Sequence, residues 1–240
     1  NSLNINYAGL DYKPYTIFDL NDSIKIGFCS FAPNYRTPSL LKIEKAQEIV
    51  QNLSKKCDII IVSFHGGGEG SKFQNVTRET EYCYGENRGN VYKFSHAMID
   101  AGADVIIGHG PHVTRAIDIY KNKFIAYSLG NFCTYGRFNL SGSKGIAPIL
   151  QLEISDKGEF ISGKIIPIKQ ISGGYVYPDK EKKAKKEPKK KKRSPSAYAL
   201  FQKMAKDKIQ EAAGEGADFK TRQQTASKLW KEMSTEDKKV

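Results

Sequence analysis

Two short apolar runs constrain this chain most. Asp58–Phe64 (DIIIVSF) and Asp104–Ile107 (DVII) are almost unbroken by polar residues once past their opening aspartates. A strand with one face in water alternates apolar and polar positions, so a run without alternation belongs to a strand covered on both faces. Helix-like stretches stand between such runs. Ser39–Lys55 places Leu40, Leu41, Ile43, Ala46, Ile49, Val50 and Leu53 near helical spacing, and Arg88–Ala101 places Val91, Phe94, Met98 and Ile99 on one helical face. Ile24–Phe31, Lys123–Leu129, Ile149–Ile154 and Gly163–Ile168 read as further strands. Strand–helix–strand alternation of this kind predicts an α/β layered fold.

Both apolar runs deliver the chain into a loop rich in glycine and histidine. DIIIVSF runs into His65-Gly66-Gly67-Gly68-Glu69-Gly70, and DVII runs into Gly108-His109-Gly110-Pro111-His112. The carboxyl ends of strands in an open α/β sheet are where ligands bind. Three of the four histidines of the chain fall on these two loops. Neutral imidazoles suit Zn, Fe or Mn, so the pattern points to a metal site at His65, His109 and His112. Glu69 is weighed as an acid/base group against an exposed loop carboxylate. Asn131, ending FIAYSLGN at the same sheet edge, is weighed as a site residue against a turn asparagine. Asn87 and Arg88 fit a substrate phosphate or carboxylate, with capping of the following helix the stronger reading. His96, on the apolar helix FSHAMID, reads as a satisfied core histidine.

The stretches DIIIVSFHGGGEG and ENRGNVYKFSHAMIDAGADVIIGHGPHVTRAIDIYKNKFIAYSLGNF closely resemble CapA-type (poly-γ-glutamate capsule synthesis) proteins of the calcineurin-like metallophosphoesterase superfamily. The resemblance covers residues 5–172. It implies a four-layer α/β/β/α sandwich with a dinuclear centre of divalent metal ions (Mn, Fe or Zn) at the strand ends. It further implies metal ligation by His65 and by His109, His112 or both, and a phosphate- or glutamate-containing substrate. The superfamily pattern is GHxH and the spacing here is GHGPH, so the two later histidines stay alternatives. The family pattern opens with a Gly-Asp motif, a Glu and an Asn-Asn-His motif, and neither Gly-Asp nor Asn-Asn-His occurs in residues 1–57. A centre without them is expected to hold metal poorly and to catalyse little, so the metals stand as ions this chain has lost or holds weakly. The chain opens on Asn1 rather than Met, which reads as a processed or cut end, with the first half of the site upstream.

At Gly173 the texture changes, and three segments are expected: 1–178 α/β, 179–193 a basic linker, and 194–240 helical. Of the +12 net charge, residues 180–240 carry 19 Lys/Arg against 9 Asp/Glu. KEKKAKKEPKKKKR (180–193) cannot bury a core. Its last five residues, Lys189, Lys190, Lys191, Lys192 and Arg193, fit a nuclear-localisation patch or a phosphate-binding arm. Beyond it, Ser194 caps a helix opened by Pro195, and Tyr198, Phe201, Ala205 and Ile209 (or Met204) form its apolar stripe. Lys220–Met233 reads as a second helix with Ala226, Leu229, Trp230 and Met233 at helical spacing, and Ser234 begins a third. An ordinary helical hairpin would give the same periodicity.

The order KRSPSAYxxF, then Trp230, then MSxExKK resembles an HMG box over residues 187–240. That resemblance implies minor-groove binding to double-stranded DNA, bent by apolar wedges. Ala199 matches the first wedge position and Phe219 the second. Alanine is too small to part stacked bases, so Phe219 carries the expected bending. Tyr198 would pack at the same surface, and Lys189–Arg193, Lys203 and Lys206 would neutralise phosphates. The chain ends at Val240, early in the third helix of the box.

No apolar run approaches the ~20 residues of a membrane span. Cys29, Cys57, Cys83 and Cys133 form no CxxC pair and lean towards a reducing compartment. The basic tail suggests nucleus or cytoplasm, whereas the CapA resemblance suggests the envelope. Two functions follow as expectations: a CapA-type phosphoesterase-like protein with a DNA-binding tail, or an architectural DNA-binding protein on a degenerate α/β scaffold.

Overall fold

A computed structural model describes residues 5–136, 138–171, 174–179, 205–235 and 238. The chain divides into two units, 1–180 and 181–240.

The first unit is built on a six-stranded mixed sheet. Its strands are β1 (Tyr15–Asp19), β2 (Lys25–Phe31), β3 (Ile59–His65), β6 (Val105–His109), β7 (Ile117–Tyr120) and β8 (Lys123–Ala126). Their order is β1-β2-β3-β6-β8-β7. β2, β3, β6 and β8 run parallel, and β1 and β7 close the edges antiparallel. Helices α1 (Ile43–Ser54) and α2 (Val91–Asp100) make the parallel crossovers. A small hairpin, β4 (Glu81–Cys83) with β5 (Glu86–Gly89), precedes α2. β9 (Ile146–Ile154), β10 (Phe160–Gln170) and β11 (Val176–Pro178) form a second, antiparallel sheet.

The unbroken apolar runs are explained by two cores, one on each face of the large sheet. Successive side chains of a strand point to opposite faces. Ile60, Val62 and Phe64 of β3, with Ile106 of β6 and Ile125 of β8, pack against Val50 and Leu53 of α1 and Phe94 and Met98 of α2. The intervening residues Ile61, Val105, Ile107, Phe124 and Ala126 face the other way and meet Leu150, Leu152 and Ile154 of β9. Phe94 sits edge-on to both Phe31 and Phe64, at 5.4 and 5.6 Å between ring centres, a favoured aromatic geometry. Helices, large sheet and small sheet thus stack as α/β/β, three of the layers that the sandwich resemblance implies.

Some local expectations shift. α2 begins at Val91, not Arg88, because Gly89 is left-handed (φ 85°) and Asn90 takes the N-cap, its Oδ1 accepting from Lys93 N at 2.8 Å. Asn87, read as a helix cap, instead accepts from Gly89 N two residues on. α1 begins at Ile43; Leu40 is buried all the same, from the turn ahead of the helix. β1, the β4–β5 hairpin, β7 and β11 carry no signal that sequence periodicity resolves.

In the second unit, α3 (Lys206–Ala213) and α4 (Phe219–Glu232) pack together and bury Ile209 and Ala226. Asp218 caps α4, its Oδ1 accepting from Thr221 N at 2.7 Å. That hydrogen bond stabilises the carboxylate and lowers the Asp218 pKa. The beginning of the expected first helix, residues 195–204, and Lys189–Arg193, Tyr198, Ala199 and Lys203 lie outside the described residues; α3 is the described end of that expected helix, with Ile209 buried.

Candidate functional site

His65 ends β3 and His109 ends β6, and the two are register partners in the parallel ladder. By strand alternation both leave the sheet on the face of Ile61 and Ile107, towards β9. His112 follows in the β6 loop with φ 56°, a left-handed backbone that is uncommon for a residue bearing a Cβ. The three imidazoles open onto one cavity of about 560 Å³. The preceding Gly110 is required at its place. A Cβ there would stand 2.8 Å from Gly66 O, so only glycine lets the two loops touch.

The tautomer of His112 follows from its neighbours. Asn131 donates from Nδ2 to the carbonyls of His112 and Lys144, at 3.2 and 2.9 Å. Its Oδ1 is therefore the atom 2.8 Å from His112 Nδ1. An amide oxygen can only accept, so Nδ1 carries the proton and the neutral ring presents the Nε2 lone pair. The Phe138 ring lies 5.2 Å from the His112 ring centre and closes its other side.

His65 and His109 are both held below the ordinary histidine pKa of 6.5, chiefly by burial. The Arg88 guanidinium adds to the effect at His65, and His65 itself at His109. Their folded pKa values lie below the unfolded one. The stability tied to their neutral forms is complete above 6.5 and is lost as pH falls through the folded values. The drop in melting temperature between about pH 7 and about pH 5 should accordingly be smaller in His65→Gln/His109→Gln than in the parent. Equal drops in the two proteins would contradict this burial.

The glycine-rich loop does not cradle an anion with its backbone. Gly66 N donates to His109 O, Gly67 N to Arg88 O, Gly68 N to Glu81 Oε2 and Gly70 N to Pro111 O. These amides are used up in fixing the loop, whereas an anion nest needs them free. Glu69 is likewise committed: its Oε1 lies 3.1 Å from Arg88 Nη2, which also reaches Glu86 at 3.3 Å. Glu69 and Arg88 thus form an ion pair beside His65 rather than two separate site groups. Asn87 is exposed and serves its own turn.

Two residues missed by the sequence reading hold this edge together. Arg115 grips Glu81 with both terminal nitrogens, at 3.1 and 2.7 Å, and both side chains are almost wholly buried. Glu81 also accepts from Gly68 N and Thr77 Oγ1. No periodicity marks partners 34 positions apart; only an arginine amid the apolar residues after His112 hinted at a buried charge.

His96 is not the satisfied core histidine expected. It is half-buried and sandwiched between Tyr92 and Tyr120, at 4.1 and 4.0 Å between ring centres. Its Nε2 lies 3.4 Å from Asp118 Oδ2, within ion-pair range but without hydrogen-bond geometry. Phe219, the second wedge position, opens α4 and is 76% exposed, so its ring is free to meet a partner.

Among the described residues no three His, Cys, Asp or Glu side chains converge closely enough to hold a metal ion. The imidazoles share an edge without forming a closed ligand set, and structural or catalytic metal sites want at least three protein donors. The residues present therefore do not by themselves fit the dinuclear centre that the resemblance implies.

Comparison with known proteins finds both resemblances. Residues 24–135 match the family model described as bacterial capsule synthesis protein PGA_cap, and residues 188–240 match the HMG-box domain model. "PGA biosynthesis protein CapA" of Bacillus subtilis (strain 168) is 35% identical over 104 residues, 42% of this chain and 24% of that protein. "Capsule biosynthesis protein CapA" of Bacillus anthracis is 36% identical over 93 residues, 39% of this chain and 19% of that protein. The matched stretch thus spans a quarter or less of these relatives. Among solved structures, a putative 5'-nucleotidase from Staphylococcus aureus aligns with 70% of this chain and 31% of its own, at 16% identity and a TM-score of 0.39.

Proposed function

We propose that the α/β unit is a CapA-type, phosphoesterase-like module that receives a phosphate- or glutamate-containing substrate at the three-histidine edge, with His112 as its proton-accepting group. One observation carries the reading: Asn131 fixes the His112 tautomer, so that Nε2 is presented to the cavity shared with His65 and His109. A base must be oriented and in the right tautomer before it can take a proton, and a partner on the far nitrogen supplies both. The imidazolium formed would be stabilised by the Asn131 carbonyl. Glu69 serves by holding Arg88 beside His65.

The test is a titration of the purified chain with inorganic phosphate, followed through the imidazole resonances, beside hydrolysis of 4-nitrophenyl phosphate with and without added Mn²⁺. Phosphate is expected to shift the His65, His109 and His112 signals. Any hydrolysis should fall by about 10²-fold or more in His65→Ala/His112→Ala. Unshifted imidazoles, or hydrolysis unchanged in the double variant, would overturn the reading.

A second reading applies to the tail and rests on the HMG-box match at residues 188–240. In it the basic segment and Phe219 bind duplex DNA through the minor groove without sequence preference.

A further inference from the structure

The cavity at the histidine edge is lined by residues of two unlike kinds, the polar His65, His109, His112 and Asn131 and the apolar Ile107, Leu129, Phe132, Phe138, Leu150 and Leu152. Among the described residues no Lys, Arg, Asp or Glu lines it. Its volume of about 560 Å³ lies in the range of small-ligand sites, roughly 300–1,000 Å³.

These features narrow the substrate class, resting on the site proposed above. An extended polyanion such as a γ-linked glutamate chain carries one carboxylate per residue. Each would need a cation or water on the wall, and burying it against Leu150 and Leu152 would be costly. A ligand with a single phosphate head and an apolar, ring-bearing body confines that penalty to one group, which can lie against the imidazoles. Its head can exchange hydrogen bonds with the imidazoles: His112 offers the Nε2 acceptor, its Nδ1–H being held by Asn131, and a neutral His65 or His109 ring can offer a donor. A singly protonated phosphate can donate to His112 Nε2 and accept from a neighbouring ring. Its body would cover Phe132 and Phe138, which stand 54% and 46% exposed at the mouth, in the offset or edge-on contacts aromatic rings favour.

We infer that the cavity takes a phosphate monoester of a hydrophobic, aromatic alcohol, rather than a segment of an anionic polymer. The strand alternation that puts Ile107 and His109 on one face of β6 brings the apolar lining and the polar head site together.

The test compares three probes on the full chain by isothermal titration, with the imidazole resonances read on the same samples: inorganic phosphate, phenyl phosphate and tri-γ-glutamate. Phenyl phosphate should bind on the order of tenfold or more tighter than phosphate, the gain of burying one ring. Phe138→Ala should remove most of that advantage. Phe132→Ala serves as the second variant, and both are checked for an unchanged thermal transition. Tri-γ-glutamate should not displace phenyl phosphate. Equal affinities for phenyl phosphate and phosphate would overturn the inference, as would an undiminished advantage in both variants or displacement by tri-γ-glutamate. In those outcomes the shifted imidazoles would leave the proposed function standing. If no probe moves the imidazoles, both fall together.

Discussion

Glu81→Ala should lower the stability of the α/β unit by about 3–5 kcal/mol, the cost of leaving a buried charge without its partner. Arg115 is covered completely, and its terminal nitrogens are spent on Glu81 and on the carbonyl of Asn75. Its Nε already lacks a partner. Removing the carboxylate strands the guanidinium and frees Gly68 N and Thr77 Oγ1, which Glu81 now satisfies. Truncating an exposed pair such as Lys121 with Asp100 should change stability far less, because water screens it. The double replacement Glu81→Leu/Arg115→Met removes both charges together and should recover most of the loss. Urea unfolding at neutral pH measures all three. A single-variant loss under about 1 kcal/mol would mean that water reaches the pair. The consequence reaches the histidines, since Gly68 follows His65 by three residues and Arg115 follows His112 by three.

The tail carries the other large effect. If Lys189–Arg193, Lys203 and Lys206 each neutralise one phosphate, log affinity for duplex DNA should fall against log salt with a slope of about −6. Between about 50 and 200 mM salt that amounts to a loss of roughly 10³–10⁴-fold. Replacing Lys189–Arg193 by alanine should flatten the slope by about 4 units and weaken binding alike on all sequences. Phe219→Ala should act differently, reducing bending more than salt dependence, because an apolar wedge releases no counterions. Fluorescence anisotropy at several salt concentrations, with a bending assay on the same duplex, separates the two. Undiminished binding by residues 1–178 alone would place the DNA contact in the α/β unit instead.

Much of the first unit was legible in the sequence because its signals are local. DIIIVSF and DVII announce buried strands by lacking alternation, and their role as the shared wall of two cores follows directly. His65, His109 and His112 could be gathered at one sheet edge, since each follows a recognisable strand. What joins those histidines to their surroundings was not legible. Asn131 reaches His112 across 19 positions, and Glu81 reaches Arg115 across 34. Neither pair leaves a periodic trace. The glycines suggested a loop open to a ligand, yet their amides are taken by Arg88 O, His109 O, Pro111 O and Glu81. Glu69 and Arg88 looked like separate site groups because opposite charges 19 residues apart do not declare that they are paired.

β3 and β6 lie inside the large sheet, each flanked by strands on both sides and by a core on both faces. Their amide hydrogens can meet solvent deuterium only when most of the unit opens, so they should be among the slowest to exchange. His65 and His109 stand at the last residues of those two strands. The pair is thereby anchored to the part of the molecule that opens least often, whereas His112 sits on a loop beyond the sheet, held by Asn131 and by single hydrogen bonds such as Gly70 N to Pro111 O. Local opening at that loop would withdraw one imidazole and leave the other two where they are.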